Sequence, residues 1–196
     1  MDLRSVFDNP VVFAVSQRVI PFTVWVYEDL IRRRIIAPRG AKVLDIGCGV
    51  GAHRKFFPDT QHTGIDVNPG YIERAKRFHG GDFRVMDATR LEFDDASFDL
   101  AFCVAAFHHL DDGQVSAVLR EALRVVRPGG TVHIIDPVIP GDPRSWLKHW
   151  FFANDRGRFQ RTELQMRKLA EAAAPIADSE RVCGRLHDVL YLRFDR

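Results

Sequence analysis

Apolar positions recur along the chain in two rhythms. Short apolar runs fall at 43–46, 61–67, 82–86, 98–105 and 131–136, most of them closed by an acid, a glycine turn or a proline. Runs of this length, rich in Val, Ile and Phe, predict strands, and the near-continuous run 98–105 predicts one buried on both faces. Helical spacing fills the intervals. It predicts helices over 52–57 and 71–79 and from Asp111–Asp112 to about 126, with Pro69 suited to a helix start and Gly80-Gly81 to a stop. Upstream, Val11, Val12, Val15 and Val19 predict one helix; Phe22, Trp25, Val26, Leu30 and Ile31 predict a second. They are separated at Pro21, and the second ends by Pro38-Arg-Gly40. Downstream, 160–174 reads as a helix, and 177–183 with 188–194 as two strands joined by a tight turn around Gly184. Strands alternating with helices mean an α/β fold, a parallel sheet covered on both faces.

The first strand runs into Gly47-Cys-Gly-Val-Gly51, and a possible helix follows. Strand, glycine turn and helix together make a cofactor loop, because glycines admit a ligand close to the backbone and a helix start offers free N–H groups. Gly47-x-Gly49-x-x-Ala52 also satisfies the loose dinucleotide fingerprint, with Asp66 at a suitable distance for a ribose acid. Charge separates the candidates. Asp45 sits inside the first strand's end, Asp66 closes the second run and Asp87 follows the third, so a parallel sheet gathers three carboxylates at one edge. A pyrophosphate there meets several repulsions, each on the order of 1–4 kcal/mol. A cationic ligand carrying a ribose and an adenine fits better, which favours S-adenosylmethionine over NAD.

With these pieces in place the chain resembles the class I S-adenosylmethionine-dependent methyltransferases, of the small-molecule type related to ubiquinone and menaquinone methyltransferases. The matching pieces are Val43-Leu-Asp-Ile-Gly-Cys-Gly-Val-Gly51, Gly64-Ile-Asp-Val-Asn68, Met86-Asp-Ala88, Phe98-Asp-Leu-Ala-Phe102, His108-His-Leu110 and Leu123-Arg-Val-Val-Arg-Pro-Gly-Gly130, spread over residues 40–136. The resemblance implies a Rossmann-like, doubly wound, seven-stranded sheet, mostly parallel, with a final antiparallel hairpin. It divides a single domain (1–196) into a helical cap (1–40), a cofactor-binding core (41–136), a lid-like insertion (137–160) and a C-terminal helix and hairpin (161–196).

The same resemblance assigns roles. Gly47, Cys48, Gly49 and Gly51 approach the methionine part of the cofactor. Asp66, with Val67, accepts from the ribose hydroxyls; Asp87, with the Ala88 backbone, accepts from the adenine amino group; Val104 completes the pocket. Asp45 either helps hold the ammonium or is a structural acid bonded to loop amides. His53 and Arg54 either line the cofactor carboxylate or are surface residues, the second reading preferred. His108 and His109 stand just past the fourth strand and are the base candidates, His108 preferred, since histidine titrates near neutral pH. Phe22 and Trp25 in the cap, with Trp146 and Trp150 in the basic, aromatic stretch 144–159, are the substrate-binding candidates.

Absences and bulk composition narrow the substrate. The fourth strand lacks the Asn/Asp-Pro-Pro-Tyr/Phe motif of amino methyltransferases, and Asp136 reads as a lone acid, so no metal site is expected. A net charge of +2 over 196 residues gives no nucleic-acid signature. Three scattered cysteines suit a reducing cytoplasm, and no apolar run approaches the roughly 20 residues of a spanning helix. The expected partner is a small, aromatic or lipid-like acceptor of methyl on O, C or N, with peripheral membrane contact left open and no oligomeric state indicated. Alternatives are a non-catalytic S-adenosylmethionine-binding protein and an NAD-type oxidoreductase.

Overall fold

The computed structural model describes residues 21–153 and 157–196, so the helix expected over 11–19 lies outside the described residues. The elements are α1 (Pro21–Arg34), β1 (Lys42–Ile46), β2 (Gln61–Asp66), α2 (Pro69–His79), β3 (Asp82–Val85), β4 (Phe98–Val104), α3 (Asp112–Val125), β5 (Val126–Val138), α4 (Trp146–Ala153), α5 (Glu163–Glu171), β6 (Asp178–Cys183) and β7 (Asp188–Asp195). Seven strands form one sheet in the order β3-β2-β1-β4-β5-β7-β6. The first five in this order run parallel; β7 is antiparallel to both β5 and β6.

Alternation along the strands sorts the core into two layers. Leu44, Ile46, Ala101, Cys103, Val132, Ile134, Leu190 and Leu192 face α3 and α5, where Val115, Val118, Leu119, Ala122 and Met166 meet them. The intervening Val43, Leu100, Phe102, Val104, Ile135, Val189 and Tyr191 face α1 and its Val26, Leu30 and Ile31. A sheet covered on both faces needs apolar residues at both parities, which is why the runs show little alternation.

Helix starts follow side-chain chemistry. Asn68 caps α2 by accepting from the amides of Gly70 and Tyr71. Asp111 with Gln114, and Thr162 with Gln165, form reciprocal capping boxes for α3 and α5.

Two expectations are corrected. Residues 52–57 do not form an α-helix but a five-residue 3-10 helix, Ala52–Phe56, with no buried residue and no side-chain cap. Pro58 is the reason: the residue before a proline is pushed out of the helical region, and Phe57 sits at φ −126°, ψ 51°. The fifth strand begins at Val126 and not at 131, since Phe98 pairs with Val126 before the register jumps to Leu100 with Thr131. The glycine turn lies inside the strand because it packs tightly: a Cβ on Gly130 would stand 2.4 Å from the Asp99 carbonyl oxygen.

β1 lies between β2 and β4, so the chain leaves it in one direction and returns on the other. The carboxyl ends on either side of β1 form the switch point at which ligands of such sheets bind.

Candidate active site

The glycine loop leaves β1 with Gly47, Gly49 and Gly51 all at positive φ. At Gly51 the need is double: φ is 78°, and a Cβ would stand 2.9 Å from the Phe83 ring and 3.1 Å from Ala75. The loop's own amides fix its shape. Cys48 donates to the Ile65 carbonyl and Gly51 to the Cys48 carbonyl, each at 2.9 Å. The Cys48 thiol packs with Ile72, Ala75 and Phe83, where burial pushes it far above its usual range. Both backbone groups and the thiol of Cys48 are thus turned inward, shaping the loop.

Asp66 ties the loop to the next turn. Its Oδ2 accepts from the Gly49 amide at 2.9 Å and its Oδ1 from the Asn68 amide at 2.8 Å. Burial pushes this carboxyl up, against the pull of those two amides. Each oxygen keeps a second lone pair, so the acid can hold the loop and still accept from a diol. Asp87 is exposed, and its Oδ1 accepts from both the amide and the hydroxyl of Thr89 at 2.8 Å. Val67 is exposed beside Asp66, Ala88 is half-buried, and Val104 is buried at the end of β4.

Asp45 differs from its neighbours. It is fully buried, and neither carboxylate oxygen has a hydrogen-bond partner among the described residues. The amides of Cys48, Gly49 and Gly51 all go elsewhere, so Asp45 is not an acid bonded to those loop amides. Its nearest polar neighbours are His62 Nε2 at 3.6 Å and His53 Nδ1 at 3.8 Å. Burial pushes the Asp45 carboxyl up, but the two histidines outweigh it and hold the carboxyl below the usual carboxylate range. His53, expected on the surface, is drawn in by this acid and is only 21% exposed. A buried carboxylate under a glycine loop, short of donors, suits a cationic ammonium group. The donor set therefore fits S-adenosylmethionine: an orphaned acid for the ammonium and an acid for the diol.

A second pair lies on the other face of the sheet. Ala105 turns the chain out of β4 at φ 53°, a value only a few per cent of non-glycine residues adopt. Its amide is held by the Ile135 carbonyl at 2.8 Å, and the 3-10 turn Phe107–His109 follows. Asp136 accepts on Oδ1 from the Phe107 amide at 3.0 Å and lies 3.2 Å from His108 Nδ1. Both side chains are buried. Asp136, a lone acid in the sequence, is the partner of His108. The signal was the parallel register, which sets Val104 beside Ile135 and so brings the residues after them together. His109 is exposed, its ring 4.1 Å from that of His108.

A strap covers this pair. The Phe159 amide donates to the His108 carbonyl at 3.0 Å, and a Cβ on Gly157 would stand 2.4 Å from His108 Cδ2. Arg161 fastens the strap. Buried at 6% exposure, its guanidinium donates to the carbonyls of Phe107, Leu110 and Phe159 and to Asp112 Oδ1. Sequence reasoning missed Arg161, which looked like one basic residue among many; nothing local distinguishes it. Of the aromatic substrate candidates, Trp25, Trp146 and Trp150 stand on the surface, and the side chain of Phe22 lies outside the described residues. No group of three or more His, Cys, Asp or Glu among the described residues is arranged to hold a metal ion.

Comparison with known proteins agrees with this geometry. Residues 44–134 match the family described as a methyltransferase domain. The 2-methyl-6-phytyl-1,4-hydroquinone methyltransferase of Synechocystis is 39% identical over 120 residues, 58% of this chain and 37% of that protein. The sterol 24-C-methyltransferase erg6 of Aspergillus fumigatus is 30% identical over 148 residues, 70% of this chain and 36% of that protein. The chain thus spans little more than a third of the length of these curated relatives. A SAM-dependent methyltransferase from Methanosarcina mazei shares the fold, with a TM-score of 0.66, 22% identity, and coverage of 81% of this chain and 94% of that one. Glycine loop, switch-point acids, strand order and family match converge on one reading: residues 44–134 form a methyltransferase domain of the class I, S-adenosylmethionine-dependent family.

Proposed function

We propose that this chain transfers a methyl group from S-adenosylmethionine to a small, apolar, lipid-like acceptor, with His108 as the general base. The observation that carries the reading is the buried His108–Asp136 pair, set at the carboxyl edge of the sheet where β4 adjoins the glycine-loop strand. Its relatives are named for a phytyl hydroquinone and a sterol, which supports an acceptor of that character. Free cysteines at 48, 103 and 183 are compatible with a reducing compartment.

The cofactor, when bound, supplies an electrophilic methyl on a sulfonium. The chain's residues do the rest. Asp45 offers its unpaired carboxylate to the ammonium. Asp66 accepts from the ribose diol while holding Gly49, and Asp87 accepts at the adenine end. Asp136 accepts a hydrogen bond from Nδ1–H of His108, which makes Nε2 the basic nitrogen and fixes the ring. His108 then removes the proton of an acceptor hydroxyl, or of a carbon made acidic by a neighbouring oxygen. The strap of residues 157–161 keeps water from the pair.

The test is calorimetric binding of S-adenosylmethionine and S-adenosylhomocysteine, with NAD as control, followed by radiolabelled methyl transfer to prenylated phenols. Binding of both adenosyl ligands without NAD, and label in the organic phase, is expected. NAD binding would overturn the cofactor. Tight S-adenosylmethionine binding with no transfer to extracted lipids or phenols would favour a non-catalytic binding protein.

A further inference from the structure

The chain has three tryptophans, and all three are exposed: Trp25 at 62%, Trp146 at 73% and Trp150 at 61%. Tryptophan is highly buried on average in globular proteins, so three exposed rings in one chain require an explanation. They also share an end of the molecule. Asp188, the first residue of β7, pairs with Val138, the last of β5, so the turn before it lies at the carboxyl edge of the sheet, the edge of the active site. On one side of that turn Tyr27 stacks on His187 at 5.4 Å, and a Cβ on Gly184 would touch Val26 at 3.4 Å, which puts the Trp25 end of α1 there. On the other side Lys148 of α4 binds Asp188 at 2.8 Å.

α4 is two-sided. Lys148 and the buried Phe152 hold it to the body, while Trp146, Leu147 and Trp150 are exposed. Its charge is arranged to match. The acid at its start, Asp142, accepts from the Arg144 amide and the Ser145 hydroxyl and is outnumbered by the basic residues around the helix. Exposed arginines stand before it at 144, after it at 158 and on the hairpin turn at 185. Indole rings have an apolar body and an N–H donor, which suits them to the headgroup layer of a bilayer. Arginines around such rings add attraction to anionic lipid. The strap that follows α4 lies on His108, so the face and the base belong to one stretch of chain.

We propose that Trp146, Leu147 and Trp150 of α4, with Trp25 at the rim, dock this protein on the headgroup layer of an anionic membrane, so that the acceptor enters the active site from the bilayer. The second half of the statement rests on the methyl-transfer reading above; the docking does not. The surface is a monolayer contact and not a span, since no helix among the described residues is long and apolar enough to cross a membrane.

The experiment is flotation of the intact chain with phosphatidylcholine vesicles, alone and with about one third phosphatidylglycerol, the anionic charge that attracts basic residues. Tryptophan emission is read on the same samples, with brominated lipid as quencher. Partition onto the anionic vesicles, a blue shift, quenching, and weakening at high salt are expected. The double variant Trp146→Ser, Trp150→Ser should lose roughly tenfold or more of the partition. Its affinity for S-adenosylmethionine should be unchanged, which shows that it folds. No partition onto either vesicle, or equal partition by the double variant, overturns the proposal. So does a concentration-dependent dimer in sedimentation that the double variant abolishes in the absence of vesicle binding, since the face would then meet a second copy. Failure to bind S-adenosylmethionine with partition intact would refute the methyl-transfer reading and leave the docking standing.

Discussion

Two of the buried acids at the carboxyl edge of the sheet stand on opposite faces, and both lie beside a histidine. Asp136 is supplied with donors on Oδ1, the Phe107 amide at 3.0 Å and His108 Nδ1 at 3.2 Å, while its Oδ2 has none among the described residues. Asp45 has histidine nitrogens no nearer than 3.6 Å and no hydrogen bond on either oxygen among the described residues. A supplied carboxylate positions its partner, and a starved one waits for a ligand. The difference separates proton handling from cofactor holding, and mutations should separate them as well.

The largest effect is expected at His108. General base catalysis contributes roughly 10²- to 10⁴-fold, so His108→Gln should lower turnover by that order while S-adenosylmethionine affinity stays near its original value. Asp136→Asn should lower turnover less and shift the pH profile, because an amide can offer the ring nitrogen either its oxygen or its N–H. Equal loss of affinity and turnover in either variant would move the pair into the cofactor pocket and erase the distinction.

A third buried histidine serves as the control. Among the described residues the ring nitrogens of His133 meet no acid but the hydroxyls of Thr131 at 2.8 Å and Tyr191 at 3.0 Å. Burial, aided by the Arg193 charge, pushes it down from 6.5 to about 4. The unfolded chain therefore takes up this proton first as pH falls. Stability is complete above pH 6.5, declines as the pH drops towards 4, and loses nothing further from this group below that. The shift corresponds to roughly 3 kcal/mol. Urea midpoints measured across that window should fall for the parent chain and flatten for His133→Gln. An unchanged slope would mean that another buried histidine carries the proton.

Asp45→Asn tests the other half. Removing a charge-assisted contact to the ammonium should cost about 1.5–3 kcal/mol of cofactor affinity, roughly 10- to 100-fold. Without cofactor the variant should lose some stability, because His53 and His62 hold the carboxylate below its usual range and the amide forgoes that contribution to the fold. Reduced stability with unchanged affinity would show that His53 and His62 are the only partners of Asp45 and that the ammonium is held elsewhere.

The cofactor half was largely legible in the sequence and the acceptor half was not, and the cause is the range of the interactions. Gly47, Gly49, Gly51, Asp66 and the strand ends lie in contiguous segments whose chemistry is local, so the loop, the helix start at Pro69 and the parallel sheet could be read from spacing. Asp136 with His108, and Arg161 with Asp112, join residues far apart in the chain whose proximity comes only from strand register and from a strap. His62 carried no visible role because its meaning depends on Asp45 across the sheet. The exposure of Trp25, Trp146 and Trp150 is hidden for the same reason: composition tells that a stretch is aromatic, and only packing tells which way it faces.

The smallest effect is expected at Asp87, and it bears on whether burial, and not charge alone, makes Asp45 special. Asp87 carries the same charge at the same sheet edge, but it is exposed, and one oxygen is already engaged by Thr89. A hydrogen bond from an adenine amino group to an acid in water exchanges one partner for another, and its net worth is about 0.5–1.5 kcal/mol. Asp87→Ala should therefore weaken S-adenosylmethionine by no more than about tenfold. The Thr89 amide and hydroxyl, near the surface, would turn to water, so thermal stability should barely move. Titration of the Asp45 and Asp87 variants side by side with sinefungin, which bears an amine in place of the sulfonium methyl, reads both sites without turnover. If Asp87→Ala proves the costlier of the two, the adenine end anchors the cofactor and the orphaned carboxylate under the glycine loop does not.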